Sequence, residues 1–128
     1  MHNNILLVNP KSLVDSPNIG LAFLNSQLMK HGYNTTFIDL GISKDSISSI
    51  EIQKYNFVLV SINSYSVKSS IDFASKFRSN TKAKFICGGS FLNLDYTNFK
   101  FLKGCFDYGI VGDVQKVLPD FHTPSLPI

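Results

Sequence analysis

Tryptophan is absent from the 128 residues, cysteine occurs twice, and only 16% of positions carry a charged side chain. Two cysteines without a Cys-x-x-Cys pattern leave a zinc or iron–sulfur site with too few ligands. Cys87 ends one apparent strand and Cys105 begins the next, which places them at opposite edges of a parallel sheet, beyond disulfide reach. Both read as small buried hydrophobes. The net charge of +3 is modest, and the basic residues are scattered with no run that would track a polyanion, which argues against a nucleic-acid partner. Long apolar runs are missing too. Ile5 to Val8 and Phe57 to Val60 fall far short of a bilayer span, and Met1-His2-Asn3-Asn4 lacks the cationic start of a secretory signal. The expectation is a cytoplasmic protein without a membrane or nucleic-acid partner.

What is present is a globular composition, 44% hydrophobic with 11 phenylalanines, in a chain long enough for one domain with a real core. Five short apolar runs read as strands: Asn4 to Val8, Thr35 to Asp39, Phe57 to Ser61, Lys84 to Cys87 and Phe106 to Val111. Most lack polar alternation, as strands covered on both faces do. Helical patterns lie between them. Ser16-Pro17 opens one that closes on His31-Gly32, with Leu21, Leu24 and Leu28 on one face. Val67, Ile71 and Ala74, with Phe73 and Phe77 beside them, repeat the pattern behind a cap at Ser64 or Ser66. Shorter helices are expected at Asp45 to Ile52, Tyr96 to Lys103 and Asp113 to Leu118.

Strict alternation of strand and helix implies a doubly wound α/β domain, a flavodoxin-like three-layer sandwich. Its five parallel strands take the order 2-1-3-4-5, and a ligand crevice opens beyond the carboxyl ends of strands 1 and 3. The domain is expected to span residues 1–118. Residues 119–128, with three prolines, read as a tail or the start of a linker.

Function then rests on the carboxyl-end loops, Asn9 to Pro17, Leu40 to Ser43, Ile62 to Ser66, Gly88 to Leu94 and Gly112 to Val114. A phosphoacceptor receiver needs an acidic pair after strand 1, an aspartate ending strand 3 and a lysine after strand 5; the chain has Asn9-Pro10, Ser61-Ile62-Asn63 and Gly112-Asp113. A flavodoxin needs a loop after strand 1 that wraps a phosphate, and there the chain carries Asp15. No Gly-x-Gly-x-x-Gly follows a strand to support a dinucleotide site.

The pieces in order do resemble a family. Strand 1 runs into Asn9-Pro10; Pro17-x-x-Gly20-Leu21-Ala22-x-Leu24 leads to a helix closing on His31-Gly32-Tyr33; and Asp39 ends strand 2. Ser61-x-Asn63-Ser64 follows strand 3, Gly88-Gly89 follows strand 4, and Asp107-Tyr108-x-Ile110-Val111-Gly112-Asp113 forms strand 5 and its exit. Over about residues 4–118 this looks like the cobalamin-binding domain that precedes the catalytic domain of B12-dependent radical SAM enzymes. The resemblance implies cobalamin as the ligand, with a radical SAM domain in cis or in trans.

A corrin is a broad apolar plate with amide arms, and its platform calls for small residues and uncharged hydrogen-bonding groups. Gly88 and Gly89 would let the backbone approach the ligand closely, and Ser61, Asn63 and Ser64 offer hydrogen bonds without ionic charge. Asn9, Pro10, Gly112 and Asp113 complete the rim. In the family's usual pattern Gly-Gly is followed by Pro-His and the last strand by Gly-Glu-Gly-Glu; this chain has Ser90-Phe91 and Gly112-Asp113-Val114-Gln115. Phe91 is expected as an exposed ring at the crevice mouth, against the corrin or its nucleotide tail, the competing view being that it folds inward with Leu92 and Leu94.

The loop after strand 1 spends nine residues, Asn9 to Pro17, where two to six would serve. It lacks the Asp-x-His-x-x-Gly that gives cobalt a lower imidazole ligand in the methionine synthase and mutase type of domain. The histidines are His2, His31 and His122, none of them in a carboxyl-end loop. Bound cobalamin is therefore expected base-off, its lower face meeting Ser12, Leu13 or water. With no Cys-x-x-x-Cys-x-x-Cys, the chain alone makes no SAM radical and carries no cluster. It reads as a binding module, either a piece of a longer enzyme or one acting in trans. The alternative is a degenerate flavodoxin-like domain that docks a protein partner without binding cobalamin.

Overall fold

A computed structural model describes residues 4–13, 19–40 and 47–112. Strands β1 (Asn4–Asn9), β2 (Asn34–Asp39), β3 (Phe57–Ser61), β4 (Lys84–Gly88) and β5 (Tyr108–Gly109) form one parallel sheet in the order β2-β1-β3-β4-β5. Helices α1 (Ile19–Lys30), α2 (Ser49–Ile52), α3 (Val67–Phe77) and α4 (Ser90–Leu94) alternate with the strands. Turns of 3-10 helix follow at Arg78–Asn80 and Tyr96–Phe101.

The period-two alternation of each strand divides the core. Leu6, Val8, Val58, Val60, Phe85 and Cys87 face α3 and α4, packing with Phe73, Ala74, Phe77 and Leu92. Ile5, Leu7, Phe57, Leu59 and Ile86 face the other way, under Leu21, Leu24 and Leu28 of α1. Every one of these strand side chains is buried, which is why the runs read as continuously apolar. At roughly 1.5–3 kcal/mol per buried aliphatic or aromatic side chain, these two layers are the main favourable term.

Local chemistry sets the boundaries. Helix α1 ends in a Schellman motif: Tyr33 N–H donates to Leu28 C=O and Gly32 N–H to Met29 C=O, each at 3.1 Å, with Gly32 at φ +89°. Helix α2 begins at Ser49, behind a capping box formed by Ser48 and Glu51. Glu51 N–H donates to Ser48 Oγ and Ser48 N–H to the Glu51 carboxylate, both at 3.1 Å. Residues 45 and 46, the Ser16-Pro17 opening, the expected helix 113–118 and the tail lie outside the described residues.

Three expectations are corrected. The stretch expected as a loop, Gly88 to Leu94, holds α4, whose Leu92 is fully buried. Of the helix expected over Tyr96 to Lys103, Tyr96–Phe101 is 3-10 rather than α-helix, with Asp95 accepting from Thr97 N–H at its start and Leu102 N–H bonding to Phe99 C=O at its end. Strand β5 is two residues, not six. Phe106 is buried ahead of it, and Cys105 precedes the strand instead of beginning it.

Candidate functional site

Strands β1 and β3 are neighbours, and their following helices cross to opposite faces, α1 to one and α3 to the other. The chain therefore turns opposite ways beyond Asn9 and Ser61, which makes this the topological switch point, the place where open α/β sheets bind ligands.

The two exit loops are laced together. Leu13 N–H donates to Tyr65 C=O at 3.2 Å, Ser12 Oγ lies 3.4 Å from Asn63 Oδ1, and Ser69 Oγ donates to Lys11 C=O. Asn63 closes an Asx-turn, its Oδ1 accepting from Tyr65 N–H at 2.8 Å. Ser66, 1% exposed, accepts from Asn63 N–H at 3.0 Å and so fixes the turn from below. It is Ser66, not Ser64, that stands at the N-cap of α3, and its hydroxyl bonds backwards, leaving no side-chain cap on the helix. The serine run after β3 is thus mostly internal wiring. Ser69 and Ser70 hydroxyls both donate to Ser66 C=O, while Ser64 is exposed.

The glycine pair behaves differently at its two positions. Gly89 has φ +105°, and a Cβ there would stand 2.7 Å from Ile62 O and 2.9 Å from Ile62 N. The space expected for a ligand at Gly89 is taken by the β3 exit. Ile62 N–H bonds to Gly88 C=O at 2.8 Å and Phe91 N–H to Ile62 C=O at 3.0 Å. Gly88 is ordinary strand backbone, and a Cβ would meet Ile110 O at 3.6 Å.

Of the remaining expected residues, Pro10 is buried, and Asn9 and Ser61 are half-buried at the strand ends. Gly112, at φ +88°, is exposed and donates to Asn93 Oδ1 at 2.8 Å. Asp113 lies outside the described residues. Phe91 is not an exposed ring at the mouth: it is half-buried against the α3-side core, its carbonyl taking Asn98 Nδ2 at 2.8 Å. Among the described residues, the exposed apolar groups on the switch-point loops are Leu13, 88% exposed, and Tyr65, 58% exposed. Tyr65 and Asn93 were missed, since neither a lone tyrosine between serines nor an asparagine inside a presumed loop carries a periodic signal.

A metal ligand is not in evidence among the described residues, where no three His, Cys, Asp or Glu side chains cluster. His31 stands at the carboxyl end of α1, hence at the opposite end of the sheet from the crevice, with Nδ1 2.9 Å from Gln27 O. Burial pushes the Cys87 thiol up to about 12, so it is inert at neutral pH. Among the described residues no helix is long and apolar enough to cross a membrane.

No family model and no curated protein matches the sequence. Solved structures do. The radical S-adenosylmethionine methyltransferase TsrM from Kitasatospora setae, with cobalamin and a 4Fe-4S cluster bound, superposes with a TM-score of 0.75 at 20% identity. The match covers 94% of this chain and 26% of TsrM. The fold is the flavodoxin-like α/β sandwich with strand order 2-1-3-4-5. A second TsrM structure, with tryptophan substrate and the SAM analogue aza-SAM, gives 0.74 at 20% identity over 92% of this chain and 24% of that one. Response regulator TrrA from Thermotoga maritima, in complex with Mg(2+)-BeF, gives 0.53 at 17% identity, covering 96% of this chain and 99% of TrrA. At such identities the likeness is one of fold, and this chain spans about a quarter of TsrM. The carboxyl ends of β1 and β3 carry Asn9-Pro10 and Ser61-Ile62-Asn63, with no carboxylate for a magnesium-dependent phosphoacceptor site.

Proposed function

We propose that this chain is a cobalamin-binding module, holding the cofactor base-off against the carboxyl ends of β1, β3 and β4 and serving a radical SAM catalytic domain in cis or in trans. The observation that carries the reading is the lip of the switch point. Leu13 and Tyr65 are joined by a backbone hydrogen bond and turned to solvent, above the uncharged Ser12, Asn63 and Ser64. An apolar plate fringed with amides fits such a lip. Leu13 and Tyr65 cover a ring face; Ser64 and the amide nitrogen of Asn63 reach the arms. The fold likeness to a cobalamin-bound enzyme supports the same reading. Cobalamin supplies a cobalt able to carry a methyl group, and the chain's part is to bind it and exclude water.

Hydroxocobalamin mixed with the full chain is expected to co-elute through gel filtration, with a Co(II) EPR spectrum free of nitrogen superhyperfine splitting. Leu13→Glu puts a charge under the ring at a solvent-exposed position. It is expected to weaken retention roughly tenfold or more, on the scale of one buried leucine, and to leave the fold unaltered. Corrin eluting wholly apart from protein would favour the interaction domain instead.

A further inference from the structure

Strand β2 is the sheet's outer strand on one side, and among the described residues it pairs with β1 alone. Soluble proteins usually blunt such an edge with proline, lysine, a bulge or a very short strand. The opposite edge follows that rule, β5 being two residues long. Strand β2 follows none of it. Its six residues, Asn34-Thr35-Thr36-Phe37-Ile38-Asp39, run in unbroken register with β1, four of them are β-branched or aromatic, and the one charge lies at the end.

The phase of the ladder decides which groups look outward. Leu40 N–H donates to Asn9 C=O at 2.9 Å. By the alternation of a parallel ladder, the amides of Ile38 and Thr36 also turn to β1, and those of Thr35 and Phe37 turn away from it. Phe37 is aligned with Leu7, so its ring stands on the α1 face, where it remains 37% exposed.

We infer that β2 pairs antiparallel with β2 of a second copy of this chain, about a two-fold axis through Phe37, joining two sheets into one. An axis normal to the sheet keeps like faces together, so opposed residues must stand on the same face. With Phe37 on the axis, the two phenyl rings meet across the strands and the two Phe37 residues exchange both N–H···O=C bonds. Ile38 then lies opposite Thr36 of the second copy. The lone carboxylate, Asp39, faces Thr35 and not its own like, so no like charges oppose each other. The strand is self-complementary, which favours a second copy over an unrelated strand.

Light scattering on the full chain is expected to give twice the 14.3 kDa chain mass. Phe37→Glu, which sets two carboxylates against each other on the axis, is expected to halve that mass with an unchanged far-UV circular dichroism spectrum. A positive test uses a Cys105→Ser background, since Cys87 is buried. Hydrogen-bonded antiparallel partners stand about 5.5 Å apart at Cα, within disulfide range, so Phe37→Cys is expected to cross-link under mild oxidation and Thr36→Cys is not. The cysteine pair decides alone if Phe37→Glu loses its fold. A single-chain mass for the wild type overturns the inference, as does a dimer that survives in a folded Phe37→Glu. Equal cross-linking of both cysteine variants does the same.

Discussion

Gly89 and Gly88 are adjacent and identical in sequence, yet they answer to different constraints. At Gly89 a side chain faces both a left-handed φ and the Ile62 backbone. Gly89→Ala is expected to cost roughly 1–3 kcal/mol for the conformation and a similar amount for the overlap. Gly88→Ala meets ordinary contact distances and is expected to stay within about 1 kcal/mol of the parent. Urea denaturation of both variants checks this, and equal losses would refute the reading. A Gly-Gly pair after a strand announces a special backbone, but the sequence is silent on whether ligand or chain fills the space. Cys87 offers a second residue-scale test, in pH. Its folded thiol is raised to about 12 by burial from an ordinary value of 9.0. The unfolded thiol ionises first, so stability is intact below about pH 9 and declines as pH rises toward about 12. Cys87→Ala should flatten that alkaline slope, with Tyr33, also raised by burial, accounting for part of what remains. A slope as steep in the variant as in the parent would remove Cys87 as its cause.

At the scale of elements, β5 shows how a side chain can stand in for strand. Asp107 N–H donates to Phe85 C=O and Phe85 N–H to Asp107 Oδ2, both at 2.8 Å, while Asp107 Oδ1 holds Arg78 at 2.5 Å. The carboxylate thus takes an amide that the expected longer strand would have paired. Asp107→Ala leaves that amide without an acceptor and is expected to cost about 2–3 kcal/mol. Asp107→Asn, which keeps an oxygen in place, should cost less. Hydrogen exchange is the check: the Phe85 amide should lose protection in the first variant and keep most of it in the second. This exchange of ladder for side chain explains why Phe106 to Val111 looked like a full strand. Phe106 and Ile110 are buried as expected but lie outside the two-residue strand, and Val111 is exposed. Strands β1, β3 and β4 were legible because all their neighbours are strands or helices. The α4 segment was not, because five residues give one turn and no period, and Gly89 looked like loop.

On the scale of the whole molecule, the strand order was legible from alternation alone, since strands separated by helical patterns leave few connections open. The candidate site was legible only as a place. Asn63, Ser12 and Leu13 do gather at the switch point, but Phe91 packs inward, and Tyr65, which no sequence pattern singles out, supplies the lip with Leu13. Composition alone does not say which hydrophobic residue in a turn faces water.

The all-parallel sheet also gives the molecule a polarity that an experimenter can use. Asn4 enters at the foot of β1, while Gly112 leaves β5 on the crevice side, bound to Asn93. An anchor on the amino-terminal side therefore holds the protein by the end remote from the lip. On a sensor chip, that attachment leaves Leu13 and Tyr65 facing the flow, whereas a cargo joined after Gly112 sets out from the same end of the sheet as they do.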